Sequence, residues 1–214
     1  MIKSVLFDLD NTLYDEDEYF KKVFKLFALK NEINYSKILE IFDDNNFRIR
    51  NKDLFSEVLK EINFYTEDRQ NELFELYKSI DCSLKLYDDA INILGYLRRL
   101  NIKVVVITNG VVEVQRNKVK SLSLDKYVDF IVYAREKGIE YEKPHSYSFE
   151  KALELVNSKN NEVIYIGDHP YTDIVGAEKL KIKTLRFLNG YASNIVYDSK
   201  LNIKSLIELK KYIR

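Results

Sequence analysis

The sequence predicts an α/β domain: a parallel sheet interrupted by one inserted, all-helical segment. Three observations carry that reading. Apolar runs at residues 2–7, 103–108 and 163–166 are continuous rather than alternating, as in strands covered on both faces. Helical patterns separate the later runs, and strand–helix–strand alternation is the mark of parallel pairing. Residues 15–85, by contrast, show helical spacing only.

Taken in order, the first strand ends at Asp8 and the insert begins at about residue 15. Within it, Tyr19, Phe20, Val23, Phe24 and Phe27, then Phe55, Val58, Leu59 and Ile62, fall at helical spacing. The expected core is therefore residues 1–14 and 86–214, with a helical subdomain over 15–85. Asp88 is positioned to cap a helix carrying Ala90, Ile93, Leu94, Leu97 and Leu100. The run Val104, Val105, Val106, Ile107 follows, then a helix over 111–122 and a weaker strand over 127–133. A helix over 146–156, the strand 163–166, a helix over 172–180 and a strand over 183–188 complete a set of five strands. The chain has only six glycines and two prolines, so Gly110, Gly167 and Pro170 directly after apolar runs are informative stops.

Composition excludes several function classes. At 46% hydrophobic and 32% charged residues, 214 residues can bury a large core, and disorder is not expected. Thirty-four basic and 34 acidic residues cancel, leaving no broad field for nucleic acid or an acidic membrane surface. Any anion must be bound locally. Cys82 is the only cysteine, so neither an internal disulfide nor a thiolate metal site can form, which fits a reducing compartment. The first apolar run meets Asp8 too early for a signal peptide, and no run approaches the roughly 20 residues of a membrane span. The expectation is a cytoplasmic protein with neither nucleic-acid nor membrane partners.

The acids then point to chemistry. Asp8 and Asp10 follow the first strand, and Asp168 and Asp173 follow the strand at 163–166. In an open parallel sheet the carboxyl ends of strands line the ligand crevice. Thr108 and Asn109 end another strand, and Lys143 precedes Pro144 in a loop before a helix. Four converging carboxylates would repel one another, so a divalent cation is their natural partner. Hard oxygen donors without His or Cys clusters favour Mg²⁺ over zinc. A lysine and a threonine nearby suit phosphoryl oxygens. Any one of these aspartates alone is as readily a turn former or a helix cap. Their shared placement at strand ends is what separates a site from a coincidence.

On these residues the chain resembles the haloacid dehalogenase superfamily of phosphohydrolases. Asp8-Leu9-Asp10-Asn11-Thr12-Leu13 is similar to its first motif and Thr108-Asn109-Gly110 to its second. Lys143-Pro144 is similar to the third, and Gly167-Asp168-His169-Pro170-Tyr171-Thr172-Asp173 to the fourth. The resemblance implies a Rossmann-like core with a mobile helical cap of the first type, spanning nearly the whole chain. Gln115 and Lys118 resemble the branch holding acylneuraminate-9-phosphatases and nucleotide 5′-phosphatases.

The resemblance also implies roles. Asp8 would attack phosphorus and carry an aspartyl-phosphate, and Asp10 would protonate the leaving oxygen and then activate water. Thr108 and Lys143 would hold the transferring oxygens, assisted by backbone amides near Leu9 and Asn109. Mg²⁺ would be held by the Asp8 carboxylate, the Asp10 backbone carbonyl and Asp168. Asp173 would complete or orient that site, and Thr12 would support the loop. The second aspartate, Asp10, favours phosphate transfer over dehalogenation, since a halide leaves without a proton. A cap lysine forming a Schiff base, as in phosphonatases, finds only Lys21, Lys22 and Lys25 on a helical surface.

The expected activity is Mg²⁺-dependent hydrolysis of a small phosphomonoester: a sugar phosphate, a nucleotide or a similar metabolite. A sugar phosphomutase with the same core residues is the enzyme alternative, and a catalytically silent phosphate- or metal-binding module the non-enzyme one. His145 stands where the family commonly has an aspartate, and both it and His169 read as supporting residues. In the insert, Arg48 and Arg50 beside Phe47 are candidates for contacting substrate.

Overall fold

Strands form where the β-branched runs lie and pair in parallel. The structure, a computed structural model, describes residues 1–44, 47–51 and 53–213. Its strands are β1 (Ser4–Phe7), β2 (Lys103–Thr108), β3 (Phe130–Tyr133), β4 (Val163–Gly167), β5 (Lys183–Phe187) and β6 (Asn202–Ile203). Among the described residues they make one sheet in the order β3-β2-β1-β4-β5-β6, every pair parallel. This is a Rossmann-like α/β arrangement. Strand order reverses beside β1: β2 and β3 extend one way, and β4, β5 and β6 the other. A crevice opens at such a switch point, beyond the carboxyl ends of β1 and β4. Phe7 pairs with Ile166 and Val106, so Asp8, Gly167 and Ile107 lie at the same level across the sheet.

The chain divides into two compact units, Met1–Asp15 with Leu84–Arg214, and Glu16–Ser83. The second contains α1 (Glu16–Lys30), α2 (Tyr35–Phe42), α3 (Phe47–Arg50), α4 (Leu54–Glu61) and α5 (Glu67–Ser79). Three of these begin on side-chain caps: Asn34 accepts from Ser36 N, Asp53 from Ser56 N and Thr66 from Arg69 N, all at 3.0–3.1 Å. Their interior is aromatic. Phe20 stacks on Tyr77 at 5.2 Å, and Phe24 meets Phe42 and Phe55 edge-on at 5.3 and 5.9 Å.

In the sheet unit the helices are α6 (Asp88–Arg99), α7 (Val112–Ser121), α8 (Tyr147–Leu155) and α9 (Val175–Lys179). Leu6, Val105, Ile107 and Tyr165 face Phe149 and Ala152 of α8 and Ala177 of α9 in one buried cluster. Alternate residues such as Phe7, Val104 and Val106 are also fully or nearly fully buried. The continuous apolar runs are thus explained by a sheet covered on both faces.

The structure corrects several sequence expectations. Asp88 is the first residue of α6 rather than its cap, and with Asp89 it lies where the helix dipole favours negative charge. The third strand starts at Phe130, because Leu124–Lys126 forms a 3₁₀ turn first. The Asp129 carboxylate then closes the edge of β2 by accepting from Val104 N (2.8 Å) and Lys103 Nζ (2.6 Å). The helix expected over 172–180 is split into a π-helical turn at Pro170–Ile174 and α9. A sixth strand, β6, is two residues long, too short to show periodicity in sequence. No described helix is long and apolar enough to cross a membrane.

Candidate active site

Several polar groups of the site stand at or just past strand ends. Asp8 continues β1 and donates its amide to the Ile166 carbonyl at 2.8 Å, which fixes its height above the switch point. Its side chain is buried. Lys143 reaches the same point from the loop before α8. Its Nζ donates to Asp8 Oδ1 (2.5 Å), Asp173 Oδ1 (2.6 Å), Tyr165 Oη (3.1 Å) and the Ile107 carbonyl (3.1 Å). Tyr165 in turn donates to Asp173 Oδ1 at 2.7 Å. The other Asp173 oxygen accepts from His169 N at 3.0 Å. Both oxygens of Asp173 are thereby engaged, so its carboxylate orients Lys143.

Gly167 is what allows Asp173 to fold back under β4. A Cβ at that position would lie 2.6–2.7 Å from the Asp173 side chain. Oxygens of Asp8, Asp168 and Asp173 come within 4.8 Å of one another, and all three residues are buried. Burial pushes the Asp8 carboxyl from 3.8 up to about 8; Lys143 opposes this, while Asp173 and Asp10 add to it. Burial works against the Lys143 ammonium, but Asp173 and Asp8 outweigh it and hold the amine above its ordinary value. Contacts of 2.5 and 2.6 Å to two carboxylates identify Lys143 as an ammonium ion. A hard, oxygen-only donor set with an excess of negative charge fits Mg²⁺.

Asp10 occupies a different environment. Oδ1 accepts from Tyr14 Oη (2.6 Å) and Lys118 Nζ (2.8 Å), and Oδ2 from Gln115 Nε2 (3.1 Å). Asn11 sits at φ 59°, an αL turn that asparagine tolerates, and Leu13 N closes the turn on the Leu9 carbonyl at 3.0 Å. Thr12 is fully buried, but its hydroxyl has no hydrogen-bond partner; its amide bonds the Leu9 carbonyl instead. Its support of the loop is thus through backbone and packing.

Thr108 ends β2 and is buried. The Asn109 side chain is a strap: Nδ2 donates to the Lys143 carbonyl (3.0 Å) and Oδ1 accepts from Lys143 N (2.8 Å). Glu142 adds a second fastening by accepting from Gly110 N and from Arg135 Nε. His145 Nδ1 accepts from Tyr147 N at 3.1 Å, serving the start of α8 as the expected aspartate would. His169 Nδ1 accepts from Thr172 N, and burial lowers its basicity.

Arg48 is nearly buried and pairs with both Glu16 and Asp17, while Arg50, on the surface, pairs with Asp44. Both guanidiniums thus pair with carboxylates of the helical unit.

Sequence reading missed Tyr14, Tyr165, Glu142 and Arg186. Arg186 of β5 is buried and donates to the carbonyls of Ala192 (2.8 Å), Ile195 (2.9 Å) and Asp168 (3.4 Å). The available signals were a tyrosine inside the apolar run of β4 and an arginine between Leu185 and Phe187 of β5, where a buried polar group must find a partner.

Comparison with known proteins agrees with this geometry. Residues 5–187 match the family model described as haloacid dehalogenase-like hydrolase. A glyceraldehyde 3-phosphate phosphatase of Methanocaldococcus jannaschii is 29% identical, over 100% of this chain and 98% of its own. The pyrophosphatase PpaX of Bacillus mycoides is 25% identical over 96% and 97% of the two chains. The magnesium-bound HAD-hydrolase YfnB of Bacillus subtilis shares the fold with a TM-score of 0.75 at 18% identity, over 100% and 99%. The chain belongs to the haloacid dehalogenase-like hydrolases.

Proposed function

We propose that this haloacid dehalogenase-like hydrolase is a cytoplasmic, Mg²⁺-dependent phosphatase of a small phosphomonoester, acting through an aspartyl-phosphate on Asp8. The observation that carries the reading is the division between two carboxylates two residues apart. Asp8 is buried against an ammonium at the switch point, and Asp10 is held apart from it by donors of its own. One is placed to attack and the other to move protons. The relatives named as phosphatases support the same reaction class.

In this reading Asp8 Oδ attacks phosphorus and the ester P–O bond breaks. Asp10 gives its proton to the leaving oxygen. Asp10 then takes a proton from water as that water attacks phosphorus, and the bond to Asp8 breaks. Lys143 Nζ and Thr108 Oγ1 hold the phosphoryl oxygens, where charge develops, together with the amides near Leu9 and Asn109. The Asp8 and Asp168 carboxylates and the Asp10 carbonyl would hold Mg²⁺, which supplies charge neutralisation at the phosphoryl group. Asp173 keeps Lys143 in place. Arg48 and Arg50, already paired, are left outside this set. The helical unit would act as the cap that excludes water during reaction.

The test is phosphate release from a panel of sugar phosphates, glyceraldehyde 3-phosphate, nucleotides and pyrophosphate, with Mg²⁺ or EDTA. Metal-dependent release is expected, lost by on the order of 10³-fold or more in Asp8→Asn. An Asp8→Asn protein as fast as wild type refutes the nucleophile assignment. Phosphate moved within a sugar, with little released, would turn the reading to a mutase.

A further inference from the structure

Helix α7 carries a polar arm of the site that does not belong to a strand end. Lys118 is fully buried on it, with Nζ 2.8 Å from Asp10 Oδ1. One turn earlier, Gln115 is also buried, and its Nε2 donates both to Asp10 Oδ2 (3.1 Å) and to the Asn109 carbonyl (2.7 Å). Tyr14 Oη completes the set at 2.6 Å. Asp10 thus has donors on both carboxylate oxygens, two of them at positions i and i+3 of one helix face.

Two features argue that this arrangement serves Asp10 rather than stability. Gln115 Oε1 is buried without a hydrogen-bond partner. Turning the amide over would set Oε1 against the Asp10 carboxylate and the Asn109 carbonyl, so the orphaned oxygen is the consequence of aiming Nε2 at Asp10. Burying an ammonium against a carboxylate likewise rarely adds net stability over apolar packing. Gly110 leaves the room needed: a Cβ there, at φ 108°, would lie 2.7 Å from Gln115 Nε2.

We infer that Lys118, Gln115 and Tyr14 form a positioning cage that fixes the Asp10 carboxylate for its two proton transfers. The inference rests on the phosphatase reading above. The cage touches no reacting atom and acts on the proton transfers through Asp10. Loosening it therefore harms the steps that need Asp10 and spares attack by Asp8 when the leaving group needs no proton.

The test compares p-nitrophenyl phosphate, whose leaving group departs as the anion, with glyceraldehyde 3-phosphate, whose alkoxide must be protonated. Lys118→Met is expected to lower kcat for the alkyl ester by on the order of 10²-fold, with KM little changed. With the aryl ester it is expected to give a stoichiometric burst of p-nitrophenol followed by slow turnover, because phosphorylation of Asp8 outlives loss of the water-activating step. Gln115→Met, which keeps the Lys118–Asp10 pair, should show the same pattern more weakly and covers the case in which Lys118→Met does not fold. Equal losses on both esters without a burst in a folded variant overturn the cage. Wild-type protein that hydrolyses neither ester, nor any of the panel, overturns the phosphatase reading itself.

Discussion

The helical unit and the sheet unit bury different things. In Glu16–Ser83 the interior is phenylalanine, tyrosine and aliphatic side chains, and its near-buried Arg48 is neutralised at once by Glu16 and Asp17. In the sheet unit Asp8, Lys118, Lys143, Asp168, Asp173 and Arg186 are all buried. Five of the six converge on the strand ends around β1 and β4 or on the Asp10 loop beside them. Buried charge is costly unless paired, and a unit under selection for stability alone would bury it sparingly. The difference is the ground for placing the proposed chemistry in the sheet unit.

The largest expected effect that would break this comparison comes from Lys143. Lys143→Met leaves Asp8 and Asp173 facing each other without their ammonium. Activity should fall by on the order of 10²–10³-fold. Stability in EDTA should fall by about 3–5 kcal/mol in urea unfolding, the cost of stranding a buried charge. A loss below about 1 kcal/mol would show that the pair is solvated, and would remove the contrast.

A pH series sharpens the same point. Burial raises Asp8 from 3.8 to about 8. The stability this gives the metal-free protein is full below about pH 4 and disappears as pH rises through about 8. In EDTA the urea midpoint should therefore drop from pH 5 to pH 8, by at most about 1.4 kcal/mol per pH unit from this group. Mg²⁺ needs the ionised carboxylate, so its affinity and the stabilisation it brings should rise over the same range. A Mg²⁺ affinity that is flat between pH 6 and pH 8 would contradict Asp8 as a ligand.

The smallest effects belong to the helical unit. Arg48→Leu removes a charged partner of Glu16 and Asp17 and is expected to cost about 2 kcal/mol of stability. The pairing of exposed Arg50 with Asp44 should matter by no more than about 0.5 kcal/mol. Neither change should alter kcat for p-nitrophenyl phosphate by more than about twofold if the chemistry sits in the sheet unit.

The sheet was legible in sequence because each central strand is a continuous β-branched run ended by a polar residue. Where that signal weakened, so did the reading. β6 is a two-residue edge, Tyr127 lies in the turn before β3, and the Pro170 segment winds as a π-helical turn. The site was legible where residues follow strand ends, Asp8, Asp10, Thr108, Asp168 and Asp173, and where Lys143 precedes a proline in a loop before a helix. Gln115 and Lys118 stood out in sequence only as a branch signature, since nothing in their spacing says that α7 turns this face toward Asp10. Tyr165 and Arg186 were hidden inside strands, where a side chain's polar end takes its meaning from tertiary partners alone. Arg48, an arginine beside aromatic residues that suggested a substrate contact, stands against Glu16 and Asp17 in the fold, partners its sequence neighbours do not reveal.

The central claim is that Asp8 becomes covalently phosphorylated, and borohydride trapping tests it most directly. Wild type and Asp10→Asn would be quenched during turnover of p-nitrophenyl phosphate with Mg²⁺, reduced, digested and analysed by peptide mass spectrometry. The expected result is homoserine at position 8, more abundant in Asp10→Asn, where hydrolysis of the intermediate is slowed. An unmodified Asp8 in protein that is demonstrably turning over substrate, or homoserine at another aspartate, would contradict the account.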